Sequence, residues 1–93
     1  MKIVFSGVLL RFVDYSKQVD VPGDTVAECL QQLTTKFPAL QPVLLDGAGG
    51  VRRTHQLFLN GDQVAPNRYA AGAPALAVGD DDTLFVLTAL AGG

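Results

Sequence analysis

Hydrophobic residues recur at two different spacings along the chain, and each spacing predicts a different kind of element. Residues 2–10 and 17–21 are rich in alternating apolar positions, which is typical of β-strands with one buried face. In the first of these segments Ile3 and Phe5 share one face, and Val4 lies on the other. Because the two segments are close in sequence, we expect them to pair as an antiparallel hairpin.

A helical spacing follows this hairpin. Thr25 and Glu28 stand three residues apart at the start of the helical run, which is the pattern of a capping box. Five apolar residues then recur at helical intervals: Val26, Cys29, Leu30, Leu33 and Phe37. Pro38 predicts the end of the helix, because proline lacks the backbone N–H that the next helical hydrogen bond requires.

The second half of the chain predicts the remaining strands. Residues 55–59 form a third strand, and Asn60-Gly61 marks a tight turn into a short strand at residues 63–64. Residues 83–88 are a buried final strand. A single main helix covers only one face of such a sheet. The predicted fold class is therefore α+β, with a mixed sheet of four or five strands packed on one main helix.

Alternation in the last two long strands predicts which side chains face solvent. Four aliphatic residues share the parity of the face turned to the helix: Leu57, Leu59, Leu84 and Val86. Phe58, Phe85 and Leu87 have the opposite parity and should face water. Three large apolar residues grouped on an exposed face usually mark a site for a protein partner. We therefore predict that these three residues form a partner interface.

The end of the chain predicts a reactive group that is not a side chain. We expect residues 1–88 to form one domain and residues 89–93 to form a flexible tail. The tail residues Leu90, Ala91 and Gly92 carry no nucleophile, acid, base or metal ligand. The remaining chemical group is the α-carboxylate of Gly93. Two glycines before a carboxylate give a thin, flexible segment that could enter a narrow channel.

Composition restricts the function classes. A net charge of -2 provides no basic field for nucleic acid or anionic lipid, and no apolar stretch reaches membrane-spanning length. The N-terminal segment has no secretory signal pattern, and a single cysteine permits no internal disulfide. We therefore expect a cytoplasmic protein. One histidine and one cysteine leave few groups for catalysis, so we do not expect an enzyme.

Several residues that could carry chemistry have simpler structural interpretations. Cys29 lies on the apolar stripe of the helix, so we interpret it as a core thiol rather than a reactive one. His55 is interpreted as a polar residue at a strand end, because no second ligand pairs with it. The carboxylates of residues 80–82 lack the spacing of a calcium loop and indicate a solvated turn. We predict no bound metal or cofactor.

Four features of the chain occur together in one known family. They are the opening hairpin, Gly23-Asp24-Thr25-Val26 at the helix entry, Leu57-Phe58-Leu59-Asn60-Gly61, and the Asp-rich turn that leads to Leu90-Ala91-Gly92-Gly93. By these features the chain resembles the MoaD/ThiS family of ubiquitin-like sulfur carriers. Length and tail look closest to the CysO-type and MoaD-type members. The resemblance implies a β-grasp fold.

The resemblance also implies a mechanism and a set of partners. An E1-like adenylyltransferase of the MoeB/ThiF type would use ATP to adenylate Gly93. A sulfur donor, such as a rhodanese or a cysteine desulfurase, would then convert the adenylate into a thiocarboxylate. A client enzyme would accept the sulfur for the synthesis of cysteine, molybdopterin, thiamine or a sulfur-containing secondary metabolite. The free carrier is expected to be a monomer.

Two other functions remain open from the sequence. A ubiquitin-like modifier would share the adenylation step but form isopeptide bonds to lysines through Gly93. A β-grasp binding module would carry the same tail without using it. Tail chemistry alone does not separate the first two functions, because both pass through the same adenylate.

Overall fold

Five strands form one mixed sheet in the computed structural model, which describes residues 1–47, 50–52, 54–65 and 75–88. The strands are β1 (Lys2–Phe5), β2 (Gln18–Asp20), β3 (His55–Leu59), β4 (Asp62–Gln63) and β5 (Thr83–Thr88). Their order across the sheet is β2-β1-β5-β3-β4. The central pair, β1 and β5, is parallel, and the other three pairs are antiparallel. The predicted hairpin is confirmed as the β1–β2 pair.

The main helix, α1 (Val26–Lys36), begins at the predicted capping residues. The backbone N–H of Glu28 donates to Oγ1 of Thr25 at 3.1 Å. The Glu28 carboxylate accepts in return from the backbone N–H of Asp24 at 3.3 Å, one residue earlier than in a standard capping box. Four residues of the apolar stripe are buried as predicted: Val26, Cys29, Leu30 and Leu33. The fifth, Phe37, is half-buried at the C-cap, and Pro38 follows the end of the helix as predicted.

The first strand is shorter than the sequence pattern suggests. The prediction of a strand over residues 2–10 is wrong beyond Phe5, because Gly7 has φ +67° and the chain continues as a 3-10 helix, Gly7–Phe12. This helix turns Leu9 inward, where it is fully buried. Periodicity misses the change, since a run of apolar residues fits a strand and a buried helical turn equally well.

Two short helical segments follow α1. A 3-10 turn, Pro38–Leu40, leads directly into α2 (Gln41–Leu44). Leu40 and Leu44 are both fully buried and close the core at this end. The 3-10 turn packs against α1 and against the 3-10 helix Gly7–Phe12, and α2 packs against the 3-10 turn.

The core lies between α1 and one face of the sheet. Apolar residues from β1, β3 and β5 contribute side chains with no exposed surface: Ile3, Leu57, Leu84 and Val86. The helix contributes Cys29 and Leu33, which are equally buried. The α+β fold class with one covered sheet face is thus confirmed.

A polar network joins the β3–β4 turn to the segment before β5. Asn60 and Gly61 have φ +52° and +90°, as a two-residue hairpin turn requires. The Asn60 side chain donates to the Asp82 carboxylate at 2.9 Å and accepts from the Thr83 N–H at 2.9 Å. Asp82 also accepts from the backbone N–H of Gly79 at 2.7 Å. These hydrogen bonds lower the pKa of Asp82, so this carboxylate has a structural role in the turn.

We predict that Gly23→Ala destabilises the fold while Gly79→Ala does not. Gly23 has φ +146°, and a Cβ there would lie 2.8 Å from Sγ and 2.9 Å from the backbone nitrogen of Cys29. The expected loss is about 2–3 kcal/mol in the free energy of unfolding, measured by denaturant titration. A Cβ at Gly79 meets nothing within 4 Å, so the control should change stability by less than about 0.5 kcal/mol. Equal stabilities of the two variants would contradict the prediction.

Candidate functional site

The predicted tail begins at the end of a central strand. Thr88 is the last residue of β5, which lies between β1 and β3. It pairs across the sheet with His55, the first residue of β3. A segment leaving from this point starts near the middle of one sheet end, where Thr88 pairs with β3 and the pairing of β5 with β1 has ended two residues earlier, at Val86. The tail residues Leu90, Ala91, Gly92 and Gly93 themselves lie outside the described residues, so their role stays a prediction.

His55 links the end of β5 to α2. Its Nε2 lies 2.8 Å from the carbonyl oxygen of Val43, and its Nδ1 lies 3.3 Å from Oγ1 of Thr88. A carbonyl oxygen only accepts hydrogen bonds, so Nε2 donates to Val43, while Nδ1 shares the second hydrogen bond with the Thr88 hydroxyl. With only 2% of its surface exposed, His55 fixes the base of the tail. The prediction of a polar strand-end residue is confirmed.

The face of the sheet away from α1 carries the three predicted interface residues. Phe85 is 40% exposed, and Phe58 and Leu87 are half-buried. Phe58 and Phe85 lie directly opposite each other on β3 and β5. The predicted parity is correct for all three, while Leu59 on the other face is half-buried rather than buried. Whether these side chains bind a partner stays a prediction.

The structure adds one residue that the sequence analysis placed on the correct face but left out of the interface. Val4 on β1 pairs with Phe85 on β5, so the two side chains are neighbours on the outer side. Val4, Phe58, Phe85 and Leu87 together form what we call the outer apolar face. Val4 was missed because its contact depends on the parallel pairing of β1 with β5, which are far apart in sequence. In the sequence, only the alternation of residues along β1 indicated that Val4 lies on this face.

Glutamine residues border the outer apolar face on both edge strands. Gln18 of β2 pairs with Val4, and Gln63 of β4 pairs with Phe58. Both glutamines are exposed. An apolar centre with a polar border is the usual arrangement of a protein–protein interface.

Several solved structures have folds similar to that of this chain. A chain of the BexX/CysO complex of Amycolatopsis orientalis matches with 25% identity and a TM-score of 0.79, over 99% of this chain and 98% of that one. SAMP1 of Haloferax volcanii matches with 25% identity and a TM-score of 0.76, over 100% and 98%. CysO of Mycobacterium tuberculosis matches with 21% identity and a TM-score of 0.78, over 96% and 98%. Protein-family models and curated proteins give no match.

The chain has the ubiquitin-like β-grasp fold of the MoaD/ThiS type. The resemblance predicted from the sequence is confirmed. Its structural neighbours are small carrier and modifier proteins rather than catalysts, which agrees with the general kind of function expected here.

In this β-grasp protein the single cysteine belongs to the core. Cys29 has no exposed surface, and its sulfur packs beside Gly23 at the entry to α1. Burial is the main cause that raises the pKa of the thiol, and the nearby carboxylates of Glu28 and Asp24 raise it further. A thiol with a raised pKa is a poor nucleophile at neutral pH. The interpretation as a core residue is confirmed by its burial.

The described residues contain no further cluster of side chains that suggests catalysis or metal binding. A groove of about 410 Å³ runs beside β4, and Asp62 is the one titratable group among the described residues that line it. Within the described ranges, no three His, Cys, Asp or Glu side chains come together as a metal site. None of the described helices is long and apolar enough to cross a membrane.

We predict that Phe85→Asp leaves the protein folded. The side chain is 40% exposed on the outer face and packs beside Phe58 and Val4, so the variant should stay folded but lose about 1–2 kcal/mol of unfolding free energy. Binding of a protein partner to this face should weaken by about 2 kcal/mol or more. Scanning calorimetry gives the stability and titration calorimetry the affinity. As a control, Val86→Asp should unfold the protein, because Val86 has no exposed surface.

We also predict that the Cys29 thiol reacts only when the protein opens. A thiol reagent should label the wild-type protein slowly in buffer and rapidly in denaturant. Cys29→Ala should lower the free energy of unfolding by roughly 1 kcal/mol through a small cavity. Fast labelling of the native protein would show that the thiol is accessible.

Proposed function

We propose that this protein is a sulfur carrier whose working group is the carboxylate of Gly93. The observation that carries the proposal is the likeness to CysO over nearly the whole chain, together with a sequence that ends in Leu90-Ala91-Gly92-Gly93. A carrier of this kind needs a folded domain for recognition and a narrow tail for chemistry. The β-grasp domain and its central final strand meet the first requirement, and the glycine ending suits the second.

The proposed chemistry starts with activation of the Gly93 carboxylate, because a carboxylate is a poor electrophile. A carboxylate oxygen of Gly93 attacks the α-phosphorus of ATP on an E1-like enzyme, and pyrophosphate leaves. A sulfur donor then attacks the carbonyl carbon of the acyl adenylate, and AMP leaves with the bonding electron pair. With a persulfide donor this attack gives an acyl disulfide between the tail and the donor. A thiol reductant then attacks the donor's sulfur and forms a disulfide with it, and the S–S bond breaks with its electron pair on the acyl sulfur, so the tail ends in a thiocarboxylate. That sulfur is nucleophilic at neutral pH and can be passed to an electrophilic acceptor on a client enzyme.

In this scheme the protein positions the reacting group and the partner supplies catalysis. Thr88 is held by β3 and by the His55 side chain, so the tail starts from a fixed point. Five residues from 89 to 93 could extend roughly 17 Å beyond it, which is enough to enter a pocket. The outer apolar face lies on the same central strand, so a partner docked there would have its channel beside the tail. Under this proposal the carrier acts in the cytoplasm and needs no bound cofactor; ATP is bound by the activating partner.

The partner set follows from the same proposal. The matched CysO chain was solved in a complex with BexX, and we infer that this chain also docks on a client enzyme. The activating enzyme would be of the MoeB/ThiF type, and the sulfur donor a rhodanese or a cysteine desulfurase. The client could make cysteine, molybdopterin, thiamine or a sulfur-containing secondary metabolite.

A second candidate function is protein modification. It is favoured by the likeness to SAMP1, a small archaeal modifier protein, at 25% identity over the full chain. Mass spectrometry of the protein isolated from its own cells separates the two. A carrier shows the mass increase of one oxygen replaced by sulfur, whereas a modifier shows adducts joined to lysines of other proteins.

We predict that removing Gly93 abolishes adenylation without unfolding the protein. A terminal residue beyond the last strand contributes few packed contacts, so the melting temperature should not change. The shortened tail ends about 3.5 Å before the activating site, and displacements of about 1 Å can already reduce rates about a hundredfold. The measurement is ATP–pyrophosphate exchange with the E1-like enzyme of the same organism.

Two variants control this experiment. An added alanine after Gly93 should also block exchange, because the carboxylate then lies one residue too far along the channel. Cys29→Ala should keep exchange and sulfur loading, because the buried thiol takes no part in either. Wild-type exchange by the protein lacking Gly93 would overturn the proposed mechanism.

A further inference from the structure

In the turn between β1 and β2, the large aromatic residue Tyr15 has a left-handed backbone conformation, which is unfavourable for it. Asp14 and Tyr15 are consecutive non-glycine residues with φ +53° and +59°. Left-handed backbone is unfavourable for a residue with a bulky side chain, and such residues are concentrated at functional sites. The Tyr15 N–H donates to the Leu10 carbonyl at 2.8 Å, and the Ser16 N–H donates to Val13 at 2.9 Å. These hydrogen bonds hold the turn in place, and Tyr15 is 70% exposed.

This turn lies at the same end of the sheet as the base of the tail. The carbonyl of Lys17 accepts from the N–H of Phe5 at 2.9 Å, at the end of β1. Phe5 pairs with Val86 on the parallel strand β5, two residues before Thr88. The 3-10 helix that leads into the turn also contacts β5. We call residues 11–17 the tail-end turn.

Charge is distributed unequally between the two ends of the sheet. Among the described residues, four basic residues belong to segments at the end where the tail begins: Arg11, Lys17, Lys36 and Arg52. Two acidic side chains accompany them, Asp14 and Asp46. The opposite end carries one basic side chain, Lys2, among the described residues. It also carries seven acidic ones, Asp20, Asp24, Glu28, Asp62, Asp80, Asp81 and Asp82.

These two ends are far enough apart to act separately on a partner. The six residues of β5 span roughly 17 Å from one end to the other. At physiological ionic strength the screening length is about 8 Å. A protein that approaches the tail therefore senses the basic end and little of the acidic one, although the whole chain has a net charge of -2.

We propose that the tail-end turn is a docking surface for an acidic rim around the tail channel of the activating enzyme. Tyr15 is its aromatic anchor, and Arg11 and Lys17 supply the complementary charge. The inference rests on the proposed function for the identity of the partner, and activation is common to the carrier and the modifier. An exposed tyrosine with flanking basic residues has the composition of an interface centre. The acidic far end would be repelled by the same rim, so the charge separation turns the tail towards the channel.

The variant Tyr15→Asn tests the docking surface without disturbing the fold. Asparagine tolerates left-handed backbone better than tyrosine, so the variant should be as stable as the wild type or more stable. In pyrophosphate exchange its KM for the carrier should rise about tenfold while kcat stays close to the wild-type value. The matched control is Asp14→Asn, which relieves the neighbouring left-handed residue and keeps Tyr15. Its KM should be equal to or lower than that of the wild type. A wild-type KM for a folded Tyr15→Asn protein would overturn the proposal.

Paired charge variants test the electrostatic part. Lys17→Gln and Lys2→Gln each remove one positive charge, but from opposite ends of the sheet. At about 0.1 M salt, where the screening length is about 10 Å, only Lys17→Gln should raise KM several-fold. At about 1 M salt, where the screening length is about 3 Å, it should match the wild type. Equal effects of the two variants at low salt would show that overall charge, rather than the tail-end turn, matters.

A direct titration distinguishes failure of this surface from failure of the proposed function. If the wild-type protein gives no exchange, the proposed function fails, and the surface is then tested with a hexaglutamate peptide by NMR. Chemical-shift changes confined to residues 11–17 and Arg52 support an acidic protein partner. No changes there, or tighter binding to an oligothymidylate or to phosphatidylserine vesicles, overturn it.

Discussion

The parallel pairing of β1 with β5 is the contact on which the rest of this structure depends. It joins the first strand of the chain to the last, and it aligns Ile3 with Leu84 and Phe5 with Val86. All four side chains are buried against α1, so the pairing closes the core as well as the sheet. The same register places Val4 beside Phe85 on the other side. One strand pair thus builds both the interior and the outer apolar face.

This arrangement also explains why the end of the chain suits a carrier. A terminal strand at a sheet edge would have one neighbour and could fray, whereas β5 has a neighbour on each side. Its last residue is held further by the His55 side chain, which reaches α2 on its other ring nitrogen. The last described residue of β5 is therefore fixed in place. In the proposed carrier, this would let a partner locate the C-terminal group by binding the folded domain.

The two faces of the sheet carry separate tasks. One face packs on α1 and stabilises the fold. The other face leaves Phe85 partly exposed, and burial of the first face offsets the free-energy cost of exposing this apolar side chain. Polar contacts at the sheet ends complete the division. Asn60 and Asp82 close the end where β5 begins, and the tail-end turn with Tyr15 lies at the end where it finishes. The proposed docking surfaces thus lie around the base of the tail, while the polar network lies away from it.

The sequence by itself determined the features that depend on near neighbours along the chain. Thr25 and Glu28 predicted the helix start, Asn60-Gly61 predicted the turn, and alternation assigned Phe58 and Phe85 to one face. Each follows from the local periodicity of backbone hydrogen bonds and side-chain directions. Local patterns failed at residues 7–12, where an apolar run fits either a strand or a helical turn. Only the tertiary structure decided the β1–β5 pairing, the place of Val4 in the outer apolar face and the gathering of basic residues at one end. Those features join residues far apart in sequence, and their spacing along the chain carries no record of which strands become neighbours.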